Sequence, residues 1–266
     1  MNTDAIFAEL HGQLIAIALT LPRLGASFLI LPLFQQDTVP AMLRNSLIVT
    51  LAISIFPMAV ATNSGAPIAA IDWPVILVKE FLIGAALGFL FGSVFWALGM
   101  AGSIVDSQSG ATMASIIDPI QGHQTSLMGQ LFSRFAAWLL MASGGFMVFL
   151  NLALTSYKLW PVTQTLPQLP DRGLILFVEE FGYIIKFGLM MAAPAIVVLA
   201  MIDLGFGLVN RYAQNFNVSS IAASIKYFAG IGVLLLGLGV YVEIVLGKIR
   251  DNSGLLERLV GVFVGG

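Results

Sequence analysis

Apolar residues are concentrated in six long stretches, which short polar segments separate. An α-helix of about 17 to 25 apolar residues is long enough to cross the hydrocarbon core of a bilayer. The pattern therefore predicts an all-α polytopic membrane protein of about six long hydrophobic helices. The stretches run from about residue 5 to 34, 43 to 60, 81 to 105, 125 to 156, 174 to 212 and 221 to 248.

The composition agrees with this class. The chain of 266 residues is 58% hydrophobic and 10% charged, with a mean hydropathy of +0.95, whereas soluble domains carry about 25% charged residues. A net charge of −2 offers no basic surface for nucleic acid. The absence of cysteine excludes disulfides, thiolate metal sites and thiol nucleophiles.

Several charged residues interrupt or border the apolar stretches. A charge at the bilayer centre costs roughly 2.5 to 3.5 kcal/mol, so these side chains are expected to face partner subunits or a wet channel. For Arg23 the alternative is that its side chain snorkels to the membrane interface. The candidate partner- or channel-facing charges are Arg23, Lys186, Asp203, Arg211, Lys226 and Glu243.

Glycines recur every four residues in the third stretch, at Gly84, Gly88 and Gly92. This spacing places small residues on one helix face, where the backbone of a neighbouring helix can approach closely. The alternative is that glycine is simply frequent in membrane helices. We expect close helix packing at these three positions.

The linker at residues 106–124 is unusual for a loop. It contains no Lys or Arg, and structureless connections beyond about 12 to 15 residues are commonly functional or disordered. Its apolar character argues against disorder. We therefore expect it to block or line a cavity, with a plain connecting loop as the alternative, and Thr125 or Ser126 to cap the next helix. Its apolar residues are Met113, Ile116, Ile117 and Ile120.

The sequence contains no recognisable catalytic or metal-binding pattern. His11 and His123 lack a companion at metal-ligand spacing, and no Gly-x-Ser-x-Gly motif occurs. Adjacent residues on a helix point about 100° apart, so Glu179 and Glu180 are expected to be solvated at an interface rather than paired as acid and base. We expect a protein that is not an enzyme and that needs no cofactor.

One set of residues spread over most of the chain begins with Arg23, Pro32, Phe34, Pro40 and Arg44. It continues through Glu80, Gly84, Gly88, Gly102, Asp106, Gln108, Gly110, Asp118 and Pro119, and then Ala193, Pro194, residues 203–211, Asn217, Val218 and Lys226. Taken together, these residues resemble the FliR/SctT family, the export-gate subunits of flagellar and virulence type III secretion systems. Residues 156–161 look more like the virulence-type branch, whereas residues 213–215 depart from a proline-containing turn expected in many relatives.

The resemblance implies a subunit of an inner-membrane export gate, part of a channel for unfolded secreted proteins. Its partners would be SctR-type and SctS-type (FliP- and FliQ-like) subunits and an SctU-type subunit. Residues 1–172 would resemble the SctR-type subunit and residues 173–266 the SctS-type helical hairpin. The assembled helices would sit largely raised out of the bilayer plane.

By the same resemblance, the linker would be the plug that closes the resting gate. The plug or gate residues would be Gly110, Met113, Ile116, Ile117, Asp118, Pro119 and Gly122. Two alternatives stay open, a flagellar subunit of the same family and a small-molecule transporter with broken helices. No internal repeat relates the two halves, which disfavours the transporter.

Overall fold

A computed structural model describes residues 3–34, 39–62, 73–110, 126–162, 171–212 and 218–255. Every regular element within these ranges is helical, which confirms the all-α prediction. In chain order the elements are α1 (Thr3–Ile30), a 3₁₀ turn (Pro32–Phe34), α2 (Ala41–Thr62), α3 (Trp73–Ser109), α4 (Leu127–Ala142), α5 (Gly145–Leu159), α6 (Asp171–Tyr212), α7 (Val218–Leu236) and α8 (Leu238–Ser253).

Two of the six predicted segments are each divided into two helices. The fourth breaks between α4 and α5 at Gly144, whose φ of 75° lies in the left-handed region that favours glycine. The sixth bends by 53° between α7 and α8 at Gly237. The ring of Tyr241 lies over Gly237, where any added Cβ would come within 2.8 Å of it. Each of these two predicted stretches therefore consists of two helices.

The membrane-spanning candidates follow from helix length and composition. Among the described residues, two helices are long and apolar enough to cross a membrane, Trp73–Ser109 and Gly173–Tyr212. Counting each bent pair, α4 with α5 and α7 with α8, as one span raises the number to four. The described parts of α1 and α2 that are apolar, Ile17–Ile30 and Ala41–Ile55, are shorter.

Contacts divide the chain into two compact units. The first has an aromatic core in which the Phe28 ring lies 4.4 Å from Phe34 and 5.6 Å from Phe149, and Phe91 lies 5.3 Å from Phe149. These four side chains come from α1, the 3₁₀ turn, α3 and α5, so one aromatic group joins the main elements of this unit. The unit consists of Met1–Gly92, Gly144–Val178 and Ile249–Gly266.

The second unit consists of Ser93–Ser143 and Glu179–Lys248. Within it, Tyr241 donates a 3.0 Å hydrogen bond to the carbonyl oxygen of Met191 and packs its ring edge-on against Phe132, 5.7 Å away. This contact links α8, α6 and α4. The predicted division at residue 172 rests on a resemblance of the two parts to other subunits. Contacts within the chain do not test that resemblance, so the division stays a prediction.

Candidate functional site

Arg23 in α1 is buried in the first unit and forms a bidentate ion pair with Glu80 in α3. Its Nε donates to Glu80 Oε2 at 2.6 Å, and its Nη2 donates to Oε1 at 2.8 Å. The two side chains are 1% and 0% exposed. Paired charge-assisted hydrogen bonds of this kind are the strong form of the arginine–carboxylate interaction.

The end of α5 supplies the remaining acceptors of Arg23. Nη1 donates to Ser156 Oγ at 3.1 Å, and Nη2 donates to the Trp160 carbonyl at 2.8 Å. The guanidinium carbon lies 4.2 Å from the centre of the Tyr157 ring, a cation–π contact. Tyr157 in turn donates to the Thr20 carbonyl at 2.7 Å, which ties α5 to α1 a second time.

Lys79 brings a second buried cation to the same place. Its Nζ lies 3.0 Å from Glu80 Oε1 and donates to the carbonyl oxygens of Pro161 and Val162 at 3.2 and 2.8 Å. One carboxylate and three carbonyls that follow α5 therefore surround two cations. We call this group (Arg23, Lys79, Glu80, Ser156, Tyr157 and the carbonyls of residues 160–162) the Arg23 cluster.

The structure separates the two alternatives for Arg23. A side chain that is 1% exposed and fully engaged with α3 and α5 does not snorkel to an interface, so that alternative was wrong. The partner of Arg23 lies 57 residues away in sequence and was not identified. The sequence does contain a signal for this pair: Arg23 is a cation and Glu80 an anion, and each lies beside an apolar helix.

Gly84 and Gly88 lie against the backbone of α1. A Cβ on Gly84 would overlap the Arg23 carbonyl, and one on Gly88 would come within 2.8 Å of the Ser27 carbonyl. Ser27 Oγ also donates to the Gly84 carbonyl at 3.0 Å, so α1 and α3 are joined by a hydrogen bond at the same level. Gly92 is buried.

In the second unit, Asp106 joins the end of α3 to the start of α4. Its Oδ2 accepts hydrogen bonds from Ser126 Oγ at 2.7 Å and from the backbone N–H of Met128 at 2.9 Å. Ser126 is the N-cap of α4 and accepts from the Gly129 N–H at 2.8 Å, which confirms one of the two predicted caps. Close backbone packing supports this joint, because a Cβ on Gly102 would lie 2.5 Å from Gly129.

The linker begins later than the sequence indicated. α3 continues through Ser109 rather than ending before Asp106: Asp106 Oδ2 accepts hydrogen bonds from the start of α4, and Ser109 Oγ donates to the Asp106 carbonyl at 3.0 Å. Gly110, with a φ of 78°, ends the helix in the left-handed conformation. The other predicted plug residues lie outside the described residues; they are Met113, Ile116, Ile117, Asp118, Pro119 and Gly122.

Lys226 in α7 lies beside the C-terminal end of α3. Its Nζ is 2.8 Å from Asp203 Oδ1 in α6 and donates to the Gln108 carbonyl at 3.2 Å. Two charges that were expected to face partners or a channel therefore pair with each other. The Lys226 side chain is 15% exposed and that of Asp203 is 49% exposed.

Glu180 does not lie at a solvated interface, so that expectation was wrong for one of the two adjacent glutamates. Its Oε1 accepts a 2.6 Å hydrogen bond from Lys248 Nζ, which also lies 4.3 Å from the centre of the Tyr183 ring. Glu179 is exposed. Neighbouring residues on a helix point in different directions, and only Glu180 points toward α8.

Lys186, Arg211 and Glu243 are exposed in the described part of the chain. Across the residues that the structure describes, no three metal-ligating side chains come together. The charged groups instead connect helices: α1 to α3 and α5, α7 to α3 and α6, and α6 to α8. The arrangement is suited to holding segments at fixed positions and to fixing both ends of a linker.

Comparison with known proteins gives a consistent result. A family model described as "Bacterial export proteins, family 1" matches residues 14–251. "Yop proteins translocation protein T" of Yersinia pestis is 33% identical over 218 residues, which are 82% of this chain and 83% of that protein. "Surface presentation of antigens protein SpaR" of Salmonella typhimurium is 30% identical over 233 residues, 87% of this chain and 85% of that protein.

A flagellar protein is also similar. "Flagellar biosynthetic protein FliR" of Bacillus subtilis is 28% identical over 233 residues, which are 86% of this chain and 88% of that protein. The family match extends from the Arg23 cluster to the Lys226 pair, and each of these relatives is aligned with more than four fifths of the chain. The protein therefore belongs to the bacterial export proteins, family 1, the FliR/SctT family.

Proposed function

We propose that this protein is a subunit of the inner-membrane export gate of a bacterial type III protein secretion system. It forms part of the channel for unfolded secreted proteins, and it is not an enzyme and needs no cofactor. The family match carries the proposal. Relatives named for Yop translocation and for a secretion system apparatus are 33% and 32% identical, against 28% for the Bacillus subtilis flagellar protein, and this difference favours the virulence type.

In this proposal, SctR-type and SctS-type subunits, and an SctU-type subunit, assemble with the chain. Copurification tests the assembly, because a gate subunit requires its heterologous partners whereas a small-molecule transporter purifies alone or as a homo-oligomer. The chain is expressed with and without the SctR- and SctS-type subunits, and the mass of the purified species is measured. A stable homo-oligomer that binds neither the SctR-type nor the SctS-type subunit would overturn the proposal.

In our proposal the plug of this gate is the linker predicted at residues 106–124, of which Asp106 to Ser109 form the end of α3. Two observations support it: α3 and α4 are joined at Asp106, and Gly110 supplies a left-handed turn where the linker leaves α3. A segment whose two ends are fixed at one place can occupy a channel without separating the helices that carry it. Irregular backbone at membrane depth is tolerated only when it is buried in protein or lines a cavity.

Deleting residues 110–122 from the assembled complex is expected to raise ion leakage across the inner membrane. The measurement is dye or ion release from vesicles that contain the purified complex. A matched control deletes residues 163–170, another linker of the same chain. If the wild-type and plug-deleted complexes leak equally, with equal amounts of complex in the vesicles, the linker does not act as a plug.

The flagellar alternative rests on the FliR relative. Complementation separates the two systems. The chain is introduced into a strain lacking its flagellar FliR and into one lacking its virulence-type subunit. Restored motility without restored virulence-type secretion would favour the flagellar role.

A further inference from the structure

The helices α4, α6 and α7 all pack against the C-terminal half of α3 in the second unit. Small residues allow each of them to approach it closely. A Cβ on Gly188 of α6 would come within 2.9 Å of Met100, and one on Gly230 of α7 within 2.8 Å of Val105. Toward α4, a Cβ on Gly102 would lie 2.5 Å from backbone atoms of that helix. Because such contacts leave no free space, they limit the movement of α3 as far as Val105.

Beyond Val105, the end of α3 is held by polar contacts. Asp106 is 2% exposed and accepts hydrogen bonds from the start of α4. The Gln108 carbonyl, in the last turn of α3, accepts a 3.2 Å hydrogen bond from Lys226 Nζ of α7. The last carbonyls of a helix lack intrahelical donors and carry partial negative charge, so a cation suits this position. Lys226 therefore caps α3 from another helix, just before Gly110 turns the chain away with a φ of 78°.

The two polar contacts differ in how easily they separate. The hydrogen bonds to Asp106 involve a buried carboxylate, which is poorly reached by water and salt. Lys226 and Asp203 of α6 (the Lys226 pair) lie 2.8 Å apart, and the Asp203 side chain is 49% exposed. Ion pairs with an exposed member are weak and are screened by salt. Separation of the Lys226 pair therefore costs little and leaves the joint at Asp106 intact.

We propose that Lys226 and Asp203 are positioning residues that control how the chain leaves α3. Lys226 caps the last turn while Asp203 holds it, so the order of residues 108–110 depends on the spacing of α6 and α7. A movement that separates the two charges releases this turn while α4 stays attached at Asp106. In the export gate proposed above, on which this role rests, the linker that starts at Gly110 is the plug. The Lys226 pair then sets the position from which the plug begins.

Hydrogen exchange measures the last turn of α3 directly, in the chain purified with the subunits that copurify with it. Lys226→Met removes the charge and the donor but keeps a long side chain. Loss of a weak charged contact is expected to speed the exchange of amides 108–110 about two- to fivefold, with no change at residues 127–129. Lys226→Arg keeps a cation and should stay near wild type. The matched control, Lys158→Met, changes an exposed lysine at the end of α5 and should also behave as wild type.

Salt separates a charge contact from simple packing of the lysine stem. At about 1 M salt the screening length falls to about 3 Å. Exchange at residues 108–110 should then rise in the wild type toward the Lys226→Met rate and stay constant in that variant. Asp203→Asn should give an intermediate rate. Three results would overturn the positioning role: wild-type exchange in Lys226→Met, exchange that is equally accelerated at the start of α4, or a wild-type rate that is independent of salt.

Leakage from vesicles that contain the assembled complex connects this contact to closure. Lys226→Met is expected to give ion release between that of the wild type and that of the complex lacking residues 110–122. Adding Lys226→Met to the deleted chain should raise the release no further. If the deletion leaks and Lys226→Met stays as tight as wild type, the role of Lys226 is wrong and the plug stands. If neither leaks, the plug itself is wrong, and the control of closure by Lys226 fails with it.

Discussion

Replacing Glu80 by alanine tests whether the Arg23 cluster holds the first unit together. Glu80→Ala removes both carboxylate oxygens that accept from Arg23, and with them the carboxylate beside Lys79. Two buried cations then remain next to the Ser156 hydroxyl and backbone carbonyls, without the negative charge that balanced them. Removing one partner of a buried ion pair costs about 3 to 5 kcal/mol, because the remaining charge stays desolvated. We expect a loss of stability of that size.

The assay is thermal unfolding of the purified chain in detergent. For a chain of this size, each kcal/mol shifts the unfolding midpoint by roughly 2 to 4 °C, so Glu80→Ala is expected to lower it by roughly 6 to 20 °C. Glu179→Ala is the matched control, since it removes an exposed glutamate from a helix. Surface changes of that kind alter stability by about 0.5 kcal/mol or less.

A second variant examines the physical cause. Arg23→Met removes one cation and leaves Glu80 paired with Lys79, so the buried carboxylate keeps a counter-ion. It should therefore lower the midpoint less than Glu80→Ala. A Glu80→Ala shift no larger than that of Glu179→Ala would refute the importance of the pair. A larger loss for Arg23→Met would show that excess buried positive charge is not what destabilises the Glu80 variant.

Two further predictions concern close packing and the joint between α3 and α4. Gly84→Ala is expected to destabilise the chain by about 1 to 3 kcal/mol, because its Cβ overlaps the Arg23 carbonyl. The control is Gly25→Ala, whose Cβ meets nothing within 4 Å and which should be neutral or stabilising. Equal unfolding midpoints for the two variants would contradict the contact between Gly84 and α1. Asp106→Ala removes the acceptor at the start of α4 and is expected to cost about 0.5 to 2 kcal/mol. The exposed Ser107→Ala is its control, and hydrogen exchange at the first turn of α4 measures the difference.

The fold class could be predicted from the sequence because apolar stretches of bilayer length are rare outside membrane helices. Local sequence signals also predicted the structure correctly where one residue type decides the geometry, as for the N-cap at Ser126. The breaks at Gly144 and Gly237 were missed because glycine is common inside membrane helices, and its presence alone does not indicate a break. At Gly237 the bend is accompanied by the ring of Tyr241, whose position depends on α6 and α4.

The charged residues show that the sequence does not identify interaction partners. The sequence indicates that Arg23, Lys226 and Asp203 are too costly to face lipid, but it gives no partner for any of them. Glu80 is 57 residues from Arg23, and the Ser156 hydroxyl is 133 residues away. Pairing at such separations is set by helix packing, which is why partners inside the same chain were not distinguished from partners in another subunit.

Four cations, of which Arg23, Lys79 and Arg44 are buried and Lys226 is partly exposed, share one kind of environment, the C-terminal end of another helix. Arg23 and Lys79 donate to the carbonyls that follow α5, Lys226 donates to Gln108 in the last turn of α3, and Arg44 donates to the Phe34 carbonyl of the 3₁₀ turn at 3.2 Å. The last carbonyls of a helix lack intrahelical donors and carry partial negative charge. A buried cation there donates hydrogen bonds to those carbonyls, which would otherwise lack a donor. The same hydrogen bonds offset the cost of removing the cation from water. α3 and α5 both end in this way just before a linker, so a cation from another helix contacts the chain close to the point from which each of those linkers leaves.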